Sequence, residues 1–380
     1  MNFVHVSDTH LGASNFKLRE REKDFLNAFR QVVDYSISEK VDFVIHSGDL
    51  FDKGKPGNNV LLFVINQLKK LKRARIPFVI IPGSHDMSVD GTFITVLERV
   101  GLLRNAGRPD NFVSEGDYFL MKGEEVGDAV IYGLPGRRDN ISTAYEIIRP
   151  VASSKFRIFM FHHIITDVKD AEQFADIPIS LLPKGMDYYA GGHWHEHAEF
   201  IYCGKPVIYP GSTEYGDVDA MEKHMPRGFI HVREKPVFIK LVSREVIVKS
   251  VDCNGLNPVE ATSKCVGLIP KSSKGIIILK LYGILKSGKR NDIDSIVISN
   301  QASLMGFIHC NVRLSELGNP GETVTVSGLK SIDSLEREFL KGKGYDVNEI
   351  SVAKGLIELL GKEYKPDELK KALIKAEGLL

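Results

Sequence analysis

Little in this chain pulls it toward a membrane, an oxidising compartment or a polyanion. Its four cysteines, Cys203, Cys253, Cys265 and Cys310, are scattered with no CxxC spacing. That argues against a structural zinc site and a disulfide framework, and it suits buried thiols in a reducing compartment. Net charge is nearly absent: 50 Lys and Arg stand against 49 Asp and Glu, leaving +1. No global field therefore draws the chain to nucleic acid, and a polyanion has to be met by local basic patches or by metal ions. No apolar run reaches the ~18 residues of a spanning helix. The N-terminal text MNFVHVSDTH carries no basic stretch ahead of an apolar one, so a cytoplasmic protein is expected. Glutamine is scarce beside Lys, Glu and Ile, a bias found in heat-adapted proteins.

What is present is an alternation. At 380 residues the chain exceeds what one core serves, so a large domain with smaller appendages is expected. Through residue 210 or so, short apolar runs alternate with amphipathic stretches, the pattern of a layered α/β domain. Strand candidates are Phe3 to Val6, Phe43 to Ile45, Phe78 to Ile81, Val130 to Tyr132, Ile158 to Phe161, Tyr188 to Ala190 and Val207 to Tyr209. Helical spacing links Phe25, Phe29, Val32 and Val33, and then Leu61, Leu62, Ile65, Leu68 and Leu71. The first stripe reads as core. For the second, and for Val96, Leu97 and Val100, core and dimer contact both stay open. Beyond residue 230 the text turns β-rich, with Gly228 to Val232, Val237 to Val242, Val246 to Val251 and Ile276 to Tyr282, followed by a helical stretch from Ile293 to Leu304. We expect a first domain over 1–230, a small α+β domain over 231–315, and a linker with C-terminal helices over 316–380. The linker is marked by Gly318-Asn319-Pro320-Gly321-Glu322-Thr323, the helices by Val352 to Leu360 and Glu368 to Leu380. So short a helical tail buries its apolar face only by docking on this chain or on a partner.

Five clusters of metal-ligand side chains each follow an apolar strand, where open α/β sheets place their sites. They are Asp8 with His10; Asp49 after Ser47-Gly48; His85 and Asp86 after Pro82-Gly83; His162; and His193 with His195 in Gly191-Gly192-His193-Trp194-His195. In extended chain, residues i and i+2 share a face, so each His-containing pair aims two side chains at one point. Singly these motifs are weak: Gly-Asp is common turn chemistry, and a lone His after a strand is more often a core or surface residue than a ligand. Five in order are specific. Asp and His together suit Mn²⁺, Fe or Zn²⁺ rather than Ca²⁺. They are too many for one tetrahedral ion and about right for two ions ~3.5–4 Å apart sharing a carboxylate, an arrangement that hydrolyses phosphate esters.

The set D-x-H, G-D, G-N-H-D, H and G-H-x-H of the calcineurin-type metallophosphoesterases is matched by Asp8-Thr9-His10, Gly48-Asp49, Gly83-Ser84-His85-Asp86, His162 and Gly192-His193-Trp194-His195. The longer strings from His5 to Gly12 and from Gly48 to Asp52 resemble a narrower group, the meiotic recombination eleven family of double-strand-break repair nucleases related to bacterial SbcD. The resemblance implies a calcineurin-like β-sandwich flanked by helices, a small α+β capping domain and a C-terminal helical segment. It implies two Mn²⁺ ions, with Mg²⁺ or another divalent ion as the alternative. Asp8, His10, Asp49 and His195 would hold one ion. His162, His193 and Ser84 would join the bridging Asp49 at the other. His85 would contact the phosphate and Asp86 would orient it. The strand-then-His pattern places the ligand at His162, leaving His163 beside the substrate or behind the ligands; His5, inside a strand, reads as core or support.

The implied partners are DNA ends, a second copy of the chain through Leu61 to Leu71 and Phe93 to Leu103, and a Rad-fifty-type coiled-coil ATPase bound by Ser334 to Leu380. DNA contacts would fall on Lys53, Lys55, Arg137, Arg138 and the cap. Two departures stand out. Ser84 replaces the family's Asn, and a hydroxyl reaches less far than a carboxamide, so a weaker second ion is expected. Asp52 stands where some members carry a His that guides the strand. The rival readings are a small-molecule phosphoesterase and an inert scaffold that tethers DNA ends.

Overall fold

In a computed structural model of the protein, the apolar runs of the first half form two sheets packed face to face. The structure describes residues 1–87, 92–136, 141–168, 175–272 and 274–321. Four parallel strands start the first sheet: β1 (Phe3–Val6), β2 (Phe43–His46), β3 (Phe78–Ile80) and β4 (Arg104–Asn105). The connections carry α1 (Arg19–Ser38), α2 (Asn58–Arg73) and α3 (Phe93–Arg99). Parallel pairing requires such crossovers, and helices on one face with a sheet on the other bury the strands twice over. This explains why FVHV is apolar on consecutive positions: Val4 and Val6 pack against the helices, Phe3 against the second sheet.

Next come β5 (Phe112–Glu115), β6 (Tyr118–Met121), β7 (Glu124–Val126), β8 (Ala129–Leu134), α4 (Ile141–Ile147), β9 (Ile148–Pro150), β10 (Phe156–Phe161), β11 (Tyr188–Gly191), β12 (Ala198–Tyr202) and β13 (Lys205–Tyr209). The second sheet runs β12-β13-β11-β10-β8-β7, parallel at its centre with antiparallel strands at both edges, while β5-β6-β9 make a small separate sheet. The seam between the large sheets is apolar, built from Phe3, Phe43, Ile45, Val79, Ile131, Ile158, Met160 and Ile208 among others.

The chain then forms α5 (Val218–Glu222) and returns to the first sheet as β14 (Gly228–Val232) and β15 (Pro236–Lys240), giving the order β15-β14-β1-β2-β3-β4. The first sheet thus extends to Lys240, past the boundary expected at residue 230. Phe229 faces the helices and Ile230 and Val232 the seam, so these strands complete the first core rather than begin a second.

A separate unit follows: β16 (Val246–Asp252), α6 (Pro258–Leu268), β17 (Ile276–Ile284), α7 (Ser295–Leu304) and β18 (His309–Gly318), with three parallel strands in the order β16-β17-β18. Helix α6 and strand β18 were not read from the sequence, although Asn257 caps α6 in a full capping box with Glu260 and Pro258 opens its first turn. Ile277, Leu279 and Leu281 pack with Ala261, Cys265 and Ile298. Ile276 and Ile278, on the opposite face, pack onto Tyr215, Ala220 and Met221 of the large domain. Ion pairs rim that contact: Glu222 meets Lys280 at 2.6 Å and Arg313 at 2.7 Å, and Asp24 takes both Arg21 and Arg244 at 2.6 Å.

Helix α1 buries Phe25, Phe29, Val32 and Val33 as expected. Helix α2 corrects the expected stripe. Val60, Val64, Leu68 and Leu71 are its buried apolar residues, whereas Leu62 is 58% exposed and Leu61 and Ile65 are only partly covered. The i, i+4, i+8, i+11 spacing from Val60 defines the face toward the sheet. The expected C-terminal helices, Arg137 and Arg138 lie outside the described residues.

Candidate metal centre

The strands that carry the motifs end at one pole, and the loops beyond them interlock. From the first sheet, the backbone N–H groups of Asp8, His10 and Leu11 donate to the carbonyls of Gly48, Asp49 and Leu50 at 3.0, 3.1 and 2.9 Å. Strand pairing thus continues past the strand ends and carries Asp8, His10 and Asp49 side by side. Asp8, His10 and Asp49 sit at φ 50°, 41° and 57°, and His193 at 83°. A non-glycine residue in the left-handed region costs on the order of 1–3 kcal/mol and persists where the surroundings over-determine it, as at functional sites.

The second sheet supplies His162, His193 and His195. His162 Nδ1 donates to the Ser47 carbonyl at 2.7 Å, which leaves Nε2 facing Asp49 Oδ2 at 3.2 Å. The His193 N–H donates to both oxygens of Asp8 at 3.1 Å, and His195 Nε2 lies 3.1 Å from His10 Nε2 and 3.8 Å from Asp8 Oδ1. Such closeness explains two motif glycines. A Cβ at Gly48 would lie 2.3 Å from His162 Nδ1, and one at Gly192 would lie 2.0 Å from the Ser47 carbonyl oxygen.

Six of the expected ligands fall into two groups, Asp8–His10–His195 and Asp49–His162–His193, the ligand atoms of each within 4.8 Å of one another. Asp49 Oδ2 is also 3.9 Å from His10 Nε2, so this carboxylate faces both groups. Ser84 lies half-buried in the turn ahead of His85, whose N–H donates to Asp49 Oδ1 at 2.8 Å. His163 takes a different course: its Nδ1 meets the Tyr145 hydroxyl at 3.0 Å in the outer core. His5 is a buried support, bonded to Tyr188 and to Ser47.

Asp86 was expected to orient His85, and its side-chain bonds run to backbone amides. Its carboxylate accepts the backbone N–H groups of Leu50, Phe51 and Gly83 at 3.1, 2.9 and 2.9 Å and so ties the β2 and β3 loops together. The ring of His85 is instead held by the backbone carbonyl of Asp52, 2.8 Å from Nδ1. Two supports were missed. Arg227, 2% exposed, donates from Nη1 to the His195 carbonyl at 2.6 Å and to Ser212 Oγ at 2.7 Å. Thr9 Oγ1 lies 3.0 Å from His46 Nε2 and 3.0 Å from the Leu50 carbonyl. No local pattern marks either. Lys53 and Lys55 are exposed in the loop after β2.

Burial and mutual charge set the protons. Burial pushes the Asp8 carboxyl up to about 7, against the pull of His162. Burial opposes a charge on His162, but the Asp49 carboxylate outweighs it and raises the imidazole to about 9, while Asp49 itself is held below its usual range. His10 is lowered, and His195 falls to about 4, both through burial first; both are neutral near pH 7, as a ligand must be. His162 Nε2 is wholly buried and makes no aligned hydrogen bond. That atom, the neutral histidines and a shared carboxylate form a donor set that fits a pair of divalent ions.

Comparison with known proteins agrees with this geometry. A calcineurin-like phosphoesterase profile matches residues 1–197. A protein of Saccharolobus solfataricus named DNA double-strand break repair protein Mre11 is 36% identical over 208 residues, covering 51% of this chain and 49% of its own. The protein of that name from Sulfurisphaera tokodaii is 34% identical over 54% of this chain and 51% of its own. The one from Sulfolobus acidocaldarius is 26% identical over 99% of this chain and 100% of its own. The chain thus spans about half the length of the first two in the matched region and the full length of the third. With the motifs converged at one pole of a two-sheet sandwich, and the profile running through the paired histidines after β11, the chain belongs to the calcineurin-like phosphoesterase family.

Proposed function

We propose that the chain is a Mn²⁺-dependent DNA nuclease, acting as exonuclease and endonuclease on the ends of double-strand breaks, and that it works with a Rad-fifty-type ATPase. The observation that carries this reading is the pair of ligand groups facing one shared carboxylate, Asp49, beneath an exposed histidine, His85. The name shared by the relatives supports DNA as the substrate.

Asp8, His10, Asp49 and His195 would hold one ion, and Asp49, His162, His193 and Ser84 the other. Bound there, the ions supply Lewis acidity for water and for the phosphoryl oxygens. The chain's own residues do the positioning. Asp49 is oriented by the His85 N–H at Oδ1, which turns Oδ2 toward His162. With Nδ1 of His85 committed to the Asp52 carbonyl, Nε2 is the nitrogen free to meet a phosphate oxygen or to protonate the departing one. Lys53 and Lys55 would contact the DNA backbone. Residues 334–380 would dock the ATPase, and Leu62, Val96 and Val100, all more than half exposed, would form the contact between two copies. Equilibrium sedimentation at twice the monomer mass, lost in Leu62→Glu, checks that contact.

The test of function is Mn²⁺-dependent degradation of an end-labelled linear duplex, run with the native chain and with Ser84→Asn. Cutting by both supports the nuclease and makes Ser84 a tolerated ligand. Cutting by Ser84→Asn alone keeps the site and makes the native chain a DNA-end-binding scaffold. Turnover of p-nitrophenyl esters with no cutting of DNA by either, alone or with an ATPase partner, would replace this reading with a small-molecule phosphoesterase.

A further inference from the structure

A third group of ligand atoms lies at the mouth of the centre. Those of His10, Asp52 and His85 come within 4.8 Å of one another. His85 is exposed, Asp52 half-buried and His10 buried, so the group opens outward. Its histidine is prepared as His162 is prepared. In both, Nδ1 donates to a backbone carbonyl, Ser47 for one at 2.7 Å and Asp52 for the other at 2.8 Å, so Nε2 is the nitrogen left for an ion. A carbonyl on the far nitrogen fixes both tautomer and ring direction, the usual support of a metal-bound imidazole. The backbone of Asp52 is fixed too, since its N–H donates to the Leu11 carbonyl at 3.1 Å. One carboxylate and two imidazoles form an N₂O set suited to the same class of divalent ion as the inner centre.

We propose that Asp52, His85 and His10 form a third divalent-cation site, occupied at excess metal, that inhibits the reaction of the inner centre. The inhibition follows from shared parts. His10 also belongs to the Asp8–His10–His195 group, with Nε2 3.1 Å from that of His195. An ion at the mouth competes for it and takes His85 Nε2 away from the phosphate. The site is the weaker one because its His10 is shared with the inner centre and because it lies against solvent. The inference rests on the two-ion reading of the inner centre.

The experiment is a count of Mn²⁺ bound per full-length chain, by equilibrium dialysis and metal analysis without DNA, from micromolar to millimolar metal. The native chain is expected to bind two ions and then a third at a concentration roughly tenfold higher or more. Asp52→Asn, which keeps the shape of the side chain and the backbone contacts, is expected to bind two and stop there, as is His85→Gln. In the nuclease assay, the Mn²⁺ concentration at which the rate turns down should rise at least tenfold in Asp52→Asn. Two ions and no third in the native chain, or a third that survives both substitutions, overturns the mouth site and leaves the two-ion reading standing. Fewer than two ions in the native chain overturns both.

Discussion

Asp86 shows how a motif residue can act without touching the chemistry. It is 1% exposed and receives three backbone N–H groups from two loops. Burial, aided by the nearby Asp49 charge, lifts its carboxyl to about 6 against the pull of those donors. Asp86→Ala strands three buried donors at a cost of about 1–3 kcal/mol each. We expect at least 3 kcal/mol of lost stability in urea unfolding at unchanged slope, by the same estimate. An unchanged midpoint with lost turnover would return Asp86 to the side of His85. The Asp and His side chains that converge at the centre were legible because their constraints are local: a turn after a strand, a glycine where no Cβ fits, an Asp or His at fixed spacing. The tie made by Asp86 was not, because its partners are backbone amides that no letter of the sequence records. Arg227 was hidden for the same reason, since what it holds is a carbonyl of His195.

Elements were legible wherever a periodic pattern was long. Helix α1 declared its face, whereas in α2 the leucines stood out and the valines that face the sheet did not, because both faces carry apolar residues. The partner of a strand is harder still to read. Nothing in Gly228–Val232 says that it pairs with Phe3–His5 at the other end of the domain. Contact between α5 and the small domain is set by charge as well as apolar packing, and it yields a pH dependence. Burial would raise the Glu222 carboxyl, but the hydrogen bond from Lys280, aided by Arg313, lowers it from its ordinary 4.5. A depressed carboxyl contributes stability above its unfolded value and loses it as pH falls through the folded one. The stability difference between the native chain and Glu222→Gln should therefore be constant above about pH 5, shrink as pH falls through the carboxylate range, and vanish in stronger acid. Thermal melts across that range measure it, and a difference that persists in acid would contradict the assignment.

At the scale of the whole molecule, a layered α/β domain was legible from alternation and from strands apolar on both faces, and its two-sheet sandwich from the family resemblance, while the reach of the first sheet to Lys240 was not, because it depends on a pairing across the length of the domain. The centre is divided between the halves of that sandwich. Asp8, His10 and Asp49 follow strands of one sheet; His162, His193 and His195 follow strands of the other. Ions held between them would act as rivets through two plates, and their binding energy would become cohesion of the fold. A hundredfold excess of metal over its dissociation constant adds about 2.7 kcal/mol for each ion that binds only the folded chain. The melting temperature should accordingly climb with Mn²⁺, and chelation should loosen the pole that carries the loops before the opposite one, as hydrogen exchange would report. A cell starved of the metal would then hold fewer copies of the molecule as well as idle ones, since a plate without its rivets is opened first by proteases.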